Sequence, residues 1–213
     1  MLAAAVLGAV LLSPDVPPAP APARPPARAA AARPTPKAGL SWAEADAMSR
    51  KLAVIEERHR QQKAKKGPAV QVTQGELNSY LNLSYASELP KGVSDLEVRF
   101  GEGRIEAKGF VDMEQVKGRV PSSSTWSPLS FLSGLVPVEI AGKLVNQDGF
   151  GTVELDSAYV ASVRVPVSVV EQMIASSTKS EKHPEGYDLR TPFRLPYSVS
   201  RVRVEPGKAV LEF

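Results

Sequence analysis

The sequence predicts an α+β fold, in which a strongly twisted antiparallel meander of hairpins, about six to seven strands, curls around two or three amphipathic helices. Three observations predict it. Apolar residues recur at helical spacing in three separate segments, and polar and apolar residues alternate along most of the chain after residue 90. Turn-forming residues interrupt this alternation at 101–103, 146–149 and 205–207, as is typical of hairpins.

The N-terminal residues 1–13, MLAAAVLGAVLLS, form an apolar run. Their length suits the core of an export signal or a short N-terminal anchor, because a membrane-spanning helix needs about 20 residues. Residues 14–39 are mostly Pro, Ala and Arg, a composition that favours an extended, semi-rigid linker. We therefore expect an exported, periplasmic or otherwise extracytoplasmic protein, with or without a membrane tether. An apolar tail without a targeting role is the alternative.

Residues 40–66 predict a basic amphipathic helix. Ser41 and Glu44 have the spacing of a capping box. The apolar stripe consists of Trp42, Ala45, Met48, Leu52, Ile55 and His59. Residues 1–66 hold 11 Lys and Arg against 5 Asp and Glu, whereas residues 67–213 hold 15 against 18, so the basic charge is concentrated in the linker and this helix. It suits an anionic membrane surface or a cell-wall polymer, or it is a solvated helix face. The stripe is expected to dock on the main domain or on a partner.

The main domain, residues 67–213, is predicted to begin with a helix over residues 73–86. Thr73 and Glu76 form a second capping-box pair. The apolar side of this helix consists of Leu77, Tyr80, Leu81 and Tyr85. Gln74, Asn78 and Asn82 fall on another side of the helix. The apolar side is expected to be buried against the sheet.

A second helix of the main domain is predicted over residues 166–178, where Pro166 occupies a natural first-turn position. The remaining segments alternate with a period of two, so each strand has one apolar and one polar face. A sheet of this kind is covered on one side only. Several strands look 10 to 15 residues long, and long strands favour strong twist.

The sequence contains no catalytic constellation. Its two histidines, His59 and His183, lack ligand spacing to each other or to carboxylates, and no nucleophile elbow or phosphate-binding loop is present. Because the chain has no cysteine, it has no disulfide, thiolate metal site or lipoprotein anchor. We predict a non-enzymatic protein without cofactor or metal. The net acidic main domain also disfavours nucleic acid as a partner.

The sequence does offer apolar volume. Helices that do not completely fill the concave side of a curled sheet leave an apolar cleft. The residues predicted to line such a lipid-binding cleft are Leu77, Tyr80, Leu81, Tyr85, Phe131, Leu132, Leu135, Val170, Met173 and Ile174. Arg190 and Arg194 are candidates for contact with an anionic headgroup, or they pair with acidic residues across the sheet. A filled core is the ordinary alternative for every apolar residue in this set.

The order of these features resembles a known family. The stretch V-T-x-x-E-L-N-x-Y-L from Val72 to Leu81 is followed by a hairpin, a second hairpin with Asp148-Gly149, the Pro-initiated helix VPVSVVEQMI and the closing segment RLPYSVSRVRVEPGKAVLEF. Over residues 70–213 this pattern resembles LmeA-like envelope proteins, which are similar to single modules of the tubular lipid-binding superfamily. The resemblance implies a curved sheet around a long helix and a lipid-binding role without catalysis.

Two functions from different classes remain open on the sequence. The first is a non-enzymatic cell-envelope protein that binds a lipid or lipid-linked intermediate in an apolar cleft between the curled sheet and the helices at 73–86 and 166–178. The second is a structural or adaptor domain with a filled core, which docks on an envelope partner through the basic helix at 40–66. Stabilisation by added lipid separates the two, because only a protein with a binding cleft gains stability from it.

Overall fold

The computed structural model describes residues 33–61, 67–89, 91–116, 133–177 and 188–213. Within these residues, the α-helices are α1 (Trp42–Arg60), α2 (Gln74–Ser79), α3 (Met113–Val116) and α4 (Val167–Ser177). A π-helical segment, Tyr80–Ser84, follows α2, and a 3-10 turn spans Pro196–Ser198. The strands are β1 (Val70–Thr73), β2 (Val93–Phe100), β3 (Ile105–Asp112), β4 (Leu135–Gln147), β5 (Phe150–Val160), β6 (Val163–Val165), β7 (Phe193–Arg194), β8 (Arg201–Glu205) and β9 (Lys208–Glu212).

The predicted α+β class and antiparallel meander are confirmed. A large sheet has the order β2-β3-β4-β5-β6, with β7 paired to the start of β5, and every strand pair in it is antiparallel. β4 and β5 are 13 and 11 residues long, within the predicted range. All three turn signals lie between paired strands. At the turn between β4 and β5, Asp148 and Gly149 both have positive φ, as a two-residue hairpin loop requires.

Two register shifts interrupt the pairing of the large sheet, one between Ser94 and Glu97 and one between Ala141 and Gly142. A Cβ atom at Gly142 would collide with the carbonyl oxygen of Glu154, so only glycine permits the close approach of β5 there. Such bulges bend a strand and increase its right-handed twist. The sheet is accordingly twisted and open.

The last hairpin leaves the meander and forms a small sheet. β8 pairs with β9, and β9 also pairs with β1, which gives the order β1-β9-β8. This sheet packs at the end of the large sheet, where Gly103 N donates to Val204 O at 3.0 Å and Gly207 N donates to Phe100 O at 2.9 Å. β1 was not predicted, because its four residues are too few to show a period.

The predicted helix over 73–86 begins as expected and then changes type. Thr73 Oγ1 accepts a hydrogen bond from Glu76 N at 3.2 Å, and Glu76 Oε2 accepts one from Thr73 N at 2.9 Å, so this capping box is confirmed. After six α-helical residues the chain widens into the π-helical segment, where Tyr85 N donates to Tyr80 O at 2.9 Å. Segments of this kind are frequent near functional sites.

The hydrophobic core lies on the inner face of the large sheet. One buried row crosses five neighbouring strands and consists of Val98, Ala107, Ile140, Ala158 and Val165. The outer face carries charged pairs such as Lys108 and Glu139, whose side chains lie 2.9 Å apart. The predicted dry and wet faces are therefore present.

Candidate functional site

Helix α1 packs on the main domain of its own chain. Its own residues Ala45, Met48 and Ile55 are buried. The predicted apolar stripe therefore docks on the main domain. The helix ends at Arg60, with Gln61 as its C-cap, rather than near residue 66. The basic residues after position 61 in the predicted helix lie outside the described part of the chain.

The N-terminal turn of α1 is fixed by contacts with α2 and not by the predicted capping box. The Ser41 side chain makes no capping hydrogen bond. Glu44 Oε2 instead accepts a hydrogen bond from the buried Ser79 hydroxyl at 3.0 Å, and Ser79 Oγ accepts one from Ser41 N at 3.0 Å. A Cβ atom on Gly75 would lie 2.5 Å from Glu44 Oε1, so a larger residue there would require the Glu44 carboxylate to move away.

A salt bridge also joins α1 to α2. Lys51 Nζ lies 2.6 Å from each carboxylate oxygen of Glu76 and donates to Gln71 O at 2.7 Å. Burial by itself would raise the pKa of Glu76, but hydrogen bonds from Lys51 and from the Thr73 backbone outweigh it, and the pKa lies below its ordinary value. Glu76 therefore serves both the capping box of α2 and the attachment of α1.

An apolar pocket of about 80 Å³ lies between α1, the small sheet and the adjoining end of the large sheet. It is partly open to solvent. Its lining consists of Met48, Leu52, Ile55, Val72, Leu77, Phe100, Ile105, Leu144, Pro196, Tyr197, Val199, Val202, Val204, Ala209 and Leu211. The phenol of Tyr197 is the main polar group of these side chains. A dry cavity of about 150 Å³ accommodates benzene, so this pocket holds only a few carbon atoms as it stands.

Of the residues predicted from sequence to line a lipid cleft, Leu77 lines this pocket. Tyr80, Leu81, Tyr85 and Val170 are buried in the hydrophobic core, and Leu81 is 0% exposed. The inner face beside the π-helical segment is thus closely packed. The open volume lies instead beneath α1, which the sequence pattern assigned to docking.

The other predicted positions are distributed elsewhere. Leu135 begins β4 and is 66% exposed. Phe131 and Leu132 lie outside the described residues. Met173 and Ile174 belong to α4, and their side chains lie outside the described part of the structure. Leu135 is not among the side chains that line the pocket.

The two predicted headgroup arginines do not line the pocket. Arg190 makes a two-point contact with Glu171 of α4, with distances of 3.0 Å from Nε to Oε1 and 2.8 Å from Nη2 to Oε2. This hydrogen-bonded carboxylate raises the pKa of the exposed Arg190 guanidinium above its ordinary value. Arg194 is exposed on β7, opposite Phe150 of β5. Arg190 therefore does pair with an acidic residue, but this residue lies on helix α4 and not across the sheet as predicted.

Three amide side chains have a structural role that the sequence pattern did not reveal. Asn78 accepts from Val98 N at 2.7 Å and donates to Val98 O at 3.0 Å. Asn82 bonds the N and O of Leu96 in the same way, at 3.0 and 2.6 Å, and Gln74 accepts from Phe100 N at 3.1 Å. This amide ladder replaces a neighbouring strand along the edge of β2. The signal was a repeat of amides every four residues.

Two pairs of aromatic side chains are in contact, and one of them includes Tyr197 of the pocket lining. Tyr80 and Tyr85 stack with ring centroids 5.8 Å apart, and His59 meets Tyr197 edge to face at 6.0 Å. His59 Nδ1 also lies 3.0 Å from Ser198 Oγ. Burial raises the pKa of Tyr80 to about 12 and also raises those of Tyr85 and Tyr197. All three phenols are therefore protonated near neutral pH.

Within the described ranges, no three His, Asp or Glu side chains are grouped so that they could hold a metal ion. No helix in the same ranges is long and apolar enough to cross a membrane. Comparison of the chain with models of known families, with curated proteins and with solved structures found no match. The described residues thus form an apolar pocket with the Tyr197 phenol in its lining.

Proposed function

We propose that the protein is a non-enzymatic lipid-binding protein of the cell envelope, in which the pocket beneath α1 receives part of an acyl chain. The observation that carries this proposal is the lining, which brings apolar side chains from α1, α2 and both sheets around one partly open space. Burial of apolar surface needs no directional chemistry. The pocket therefore suits a methylene chain better than a polar metabolite.

The volume of the pocket indicates how a longer chain would enter. A space of about 80 Å³ has room for roughly three methylene groups, if each occupies about as much volume as a water molecule. Their burial would contribute about 2–3 kcal/mol, whereas micromolar binding corresponds to about 8 kcal/mol and so to about ten methylenes. Micromolar affinity then requires that α1 move outward as the chain enters.

Helix α1 is suited to such a movement, because it is attached to α2 largely through side chains. The Glu44–Ser79 hydrogen bond and the Lys51–Glu76 salt bridge lie at its edge, and Met48, Leu52 and Ile55 face the pocket. No strand pairing holds it in place. The apolar run at 1–13 and the linker at 14–39 support placement of the protein in the envelope.

A pocket-filling substitution tests the proposal. Ala209 lies on β9 and lines the pocket, so Ala209→Leu adds three carbon atoms to the space that a ligand would occupy. We expect the melting temperature of the full chain, purified without detergent, to rise when monodecanoylglycerol or decanoate is added. The Ala209→Leu variant should melt higher than wild type without lipid and show no rise with it.

Ala53→Leu is the matched control, because Ala53 is exposed on α1 and does not line the pocket. It should respond to lipid as the wild type does. If the wild-type protein gains no stability from either lipid while Ala209→Leu still melts higher, the pocket is a packing void and the proposal is wrong.

That outcome would favour the second candidate, a structural or adaptor domain. The complete burial of Leu81 and the small volume of the pocket are the observations that support this candidate. Its contact surface would be the exposed side of α1, which carries Arg50, Val54 and Arg60. A filled-core adaptor gains no stability from lipid.

A further inference from the structure

We propose that one end of the large sheet, where Phe110, Leu135, Pro137 and Val163 are exposed, is a docking surface for a lipid bilayer. We call these four residues the apolar rim. The inference goes beyond the proposed function, because the pocket beneath α1 adjoins the opposite end of the same sheet. Its supports are the exposure of the rim, the residues around it and the course of the chain that leads back to residues 1–13.

The apolar rim is exposed although its residues belong to paired strands. Leu135 is 66% exposed, Val163 is 63% exposed and Phe110 is 40% exposed. Phe110 lies directly opposite Pro137, and Leu135 lies diagonally beside Phe110, so these three share the outer face. Val163 extends the rim to β6. Single exposed apolar residues are ordinary, whereas a group of them is typical of a contact with a protein or a membrane.

The residues one layer inward from the rim suit the polar boundary of a bilayer. Tyr159 lies on the outer face, with Glu139 and Arg164 as its cross-strand neighbours. Glu139 is paired with Lys108, whereas the exposed Arg164 has no ion pair within the described ranges. Tyrosine rings favour the headgroup level of a membrane, and an arginine there can bond lipid phosphate. A bilayer that receives the rim would therefore meet these two side chains at its surface.

The hairpin tip beside the rim carries no charge. The loop between β5 and β6 is Ala161-Ser162, and Ala161 N donates to Pro137 O of the rim at 2.9 Å. Its φ values of +50° and +66° are those that Asn-Gly or Asp-Gly usually provides. The loop between β4 and β5, at the other end of the sheet, is Asp148-Gly149 and has an exposed carboxylate. Of these two tips, Ala161-Ser162 is the one that can enter a bilayer without burying a charge.

The chain that precedes α1 joins the domain at the same end of the sheet. Lys37 forms an ion pair with Asp95 of β2, and the residue before Asp95 is the strand partner of Phe110. The nineteen residues 14–32 separate this junction from the apolar run at 1–13 and span at most about 70 Å. A membrane that holds the run therefore lies within reach of the rim. This connection favours a bilayer over a second protein as the partner.

A fluorescent probe at the hairpin tip tests the docking surface. Because the chain has no cysteine, Ser162→Cys provides a single site for an environment-sensitive dye. The full chain is mixed with vesicles of phosphatidylethanolamine and phosphatidylglycerol. We expect the emission of the dye to shift to shorter wavelength and to be quenched by nitroxide-labelled lipid. Gln147→Cys, exposed at the other end of the sheet, is the matched control, and its dye should remain in water.

Substitutions in the rim show which side chains hold the domain on the bilayer. In the labelled Ser162→Cys chain, Phe110→Ser and Leu135→Ser should each lower the ratio of docked to undocked dye about tenfold, since each removes a large apolar side chain from the contact. Both positions are exposed, so melting temperatures should stay near wild type. Val145→Ser, 51% exposed near the opposite tip, should leave the ratio unchanged.

Three results would overturn the docking surface. The first is a dye at residue 162 that remains in water, whether or not the protein sediments with the vesicles. The second is an equal response of the dye at residue 147. The third is a shift that appears without vesicles and grows with protein concentration, which would make the rim an interface between copies of the chain. None of them changes the test of the pocket, because stabilisation by decanoate and its loss in Ala209→Leu are measured without vesicles.

Discussion

The two helices that cover the sheets are attached in different ways. Helix α2 and its π-helical continuation are joined to the backbone of β2 by the amide ladder, and Leu81 beneath them is completely buried. Helix α1 is joined to α2 by side-chain contacts at its edge, and an apolar pocket remains beneath it. We call the contact of each helix with the rest of the domain its junction. The α2 junction is closely packed and the α1 junction is open, although both helices have the same kind of amphipathic pattern.

This difference shows that attachment, more than amphipathicity, decides whether a helix leaves volume beneath it. Short amide side chains that bond a strand backbone fix the helix at one distance from the sheet, and the apolar residues then fill the remaining space. Long side chains such as Lys51 and Glu76 tolerate a range of distances. A helix attached in that way suits a cover over a binding pocket.

The largest expected effect separates the two junctions directly. Leu81→Ala removes a side chain from a completely buried position and should lower the free energy of unfolding by about 3–5 kcal/mol. Leu52→Ala, the matched change beneath α1, enlarges an existing pocket at a half-buried position and should cost about 1–2 kcal/mol. Urea unfolding of the full chain measures both. Equal losses would mean that the two junctions are packed alike.

A smaller effect is expected from the amide ladder. Asn78→Ala leaves the N–H and C=O of Val98 without their partner in a buried setting, which should cost about 2–3 kcal/mol. Asn82→Ala should cost less, because Asn82 is half-buried and water can replace part of its bonding. Hydrogen exchange of the Val98 amide should quicken in the Asn78 variant. Unchanged exchange would show that the ladder does not protect this edge.

The sequence predicted the parts of the fold that depend on local chemistry. The turn at Asp148-Gly149 and the capping box at Thr73 involve residues only a few positions apart, and the dry and wet faces follow from a period of two. Non-local features were not predictable in this way. Strand β1 exists because it pairs with β9, and the Ser41–Glu44 capping box is replaced by the contact of Glu44 with Ser79.

The sequence predicted that an apolar pocket exists but did not predict where it lies. The sequence indicated apolar volume beneath amphipathic helices, and Leu77 is the predicted residue that lines it. Its location depends on how far α1 stands from the small sheet, which is a property of tertiary packing and not of any local pattern. The contact of Tyr197 with His59 was likewise not predictable, because Tyr197 lies more than a hundred residues after His59.

The smallest expected effect concerns the attachment of α1 and depends on pH. Glu76→Gln removes the charge that Lys51 contacts, while glutamine still serves in a capping box. Because the folded pKa of Glu76 is below its ordinary value, the carboxylate stabilises the fold above about pH 5, and this contribution is lost as the pH falls through the folded pKa. The half-exposed Lys51 limits it to about 1 kcal/mol. Melting temperatures should therefore differ between wild type and Glu76→Gln at pH 7 and converge as the pH falls through the lowered pKa of Glu76. A difference that stays constant down to pH 3 would show that Glu76 acts through packing rather than charge, and that α1 is attached to the domain more rigidly than a movable cover requires.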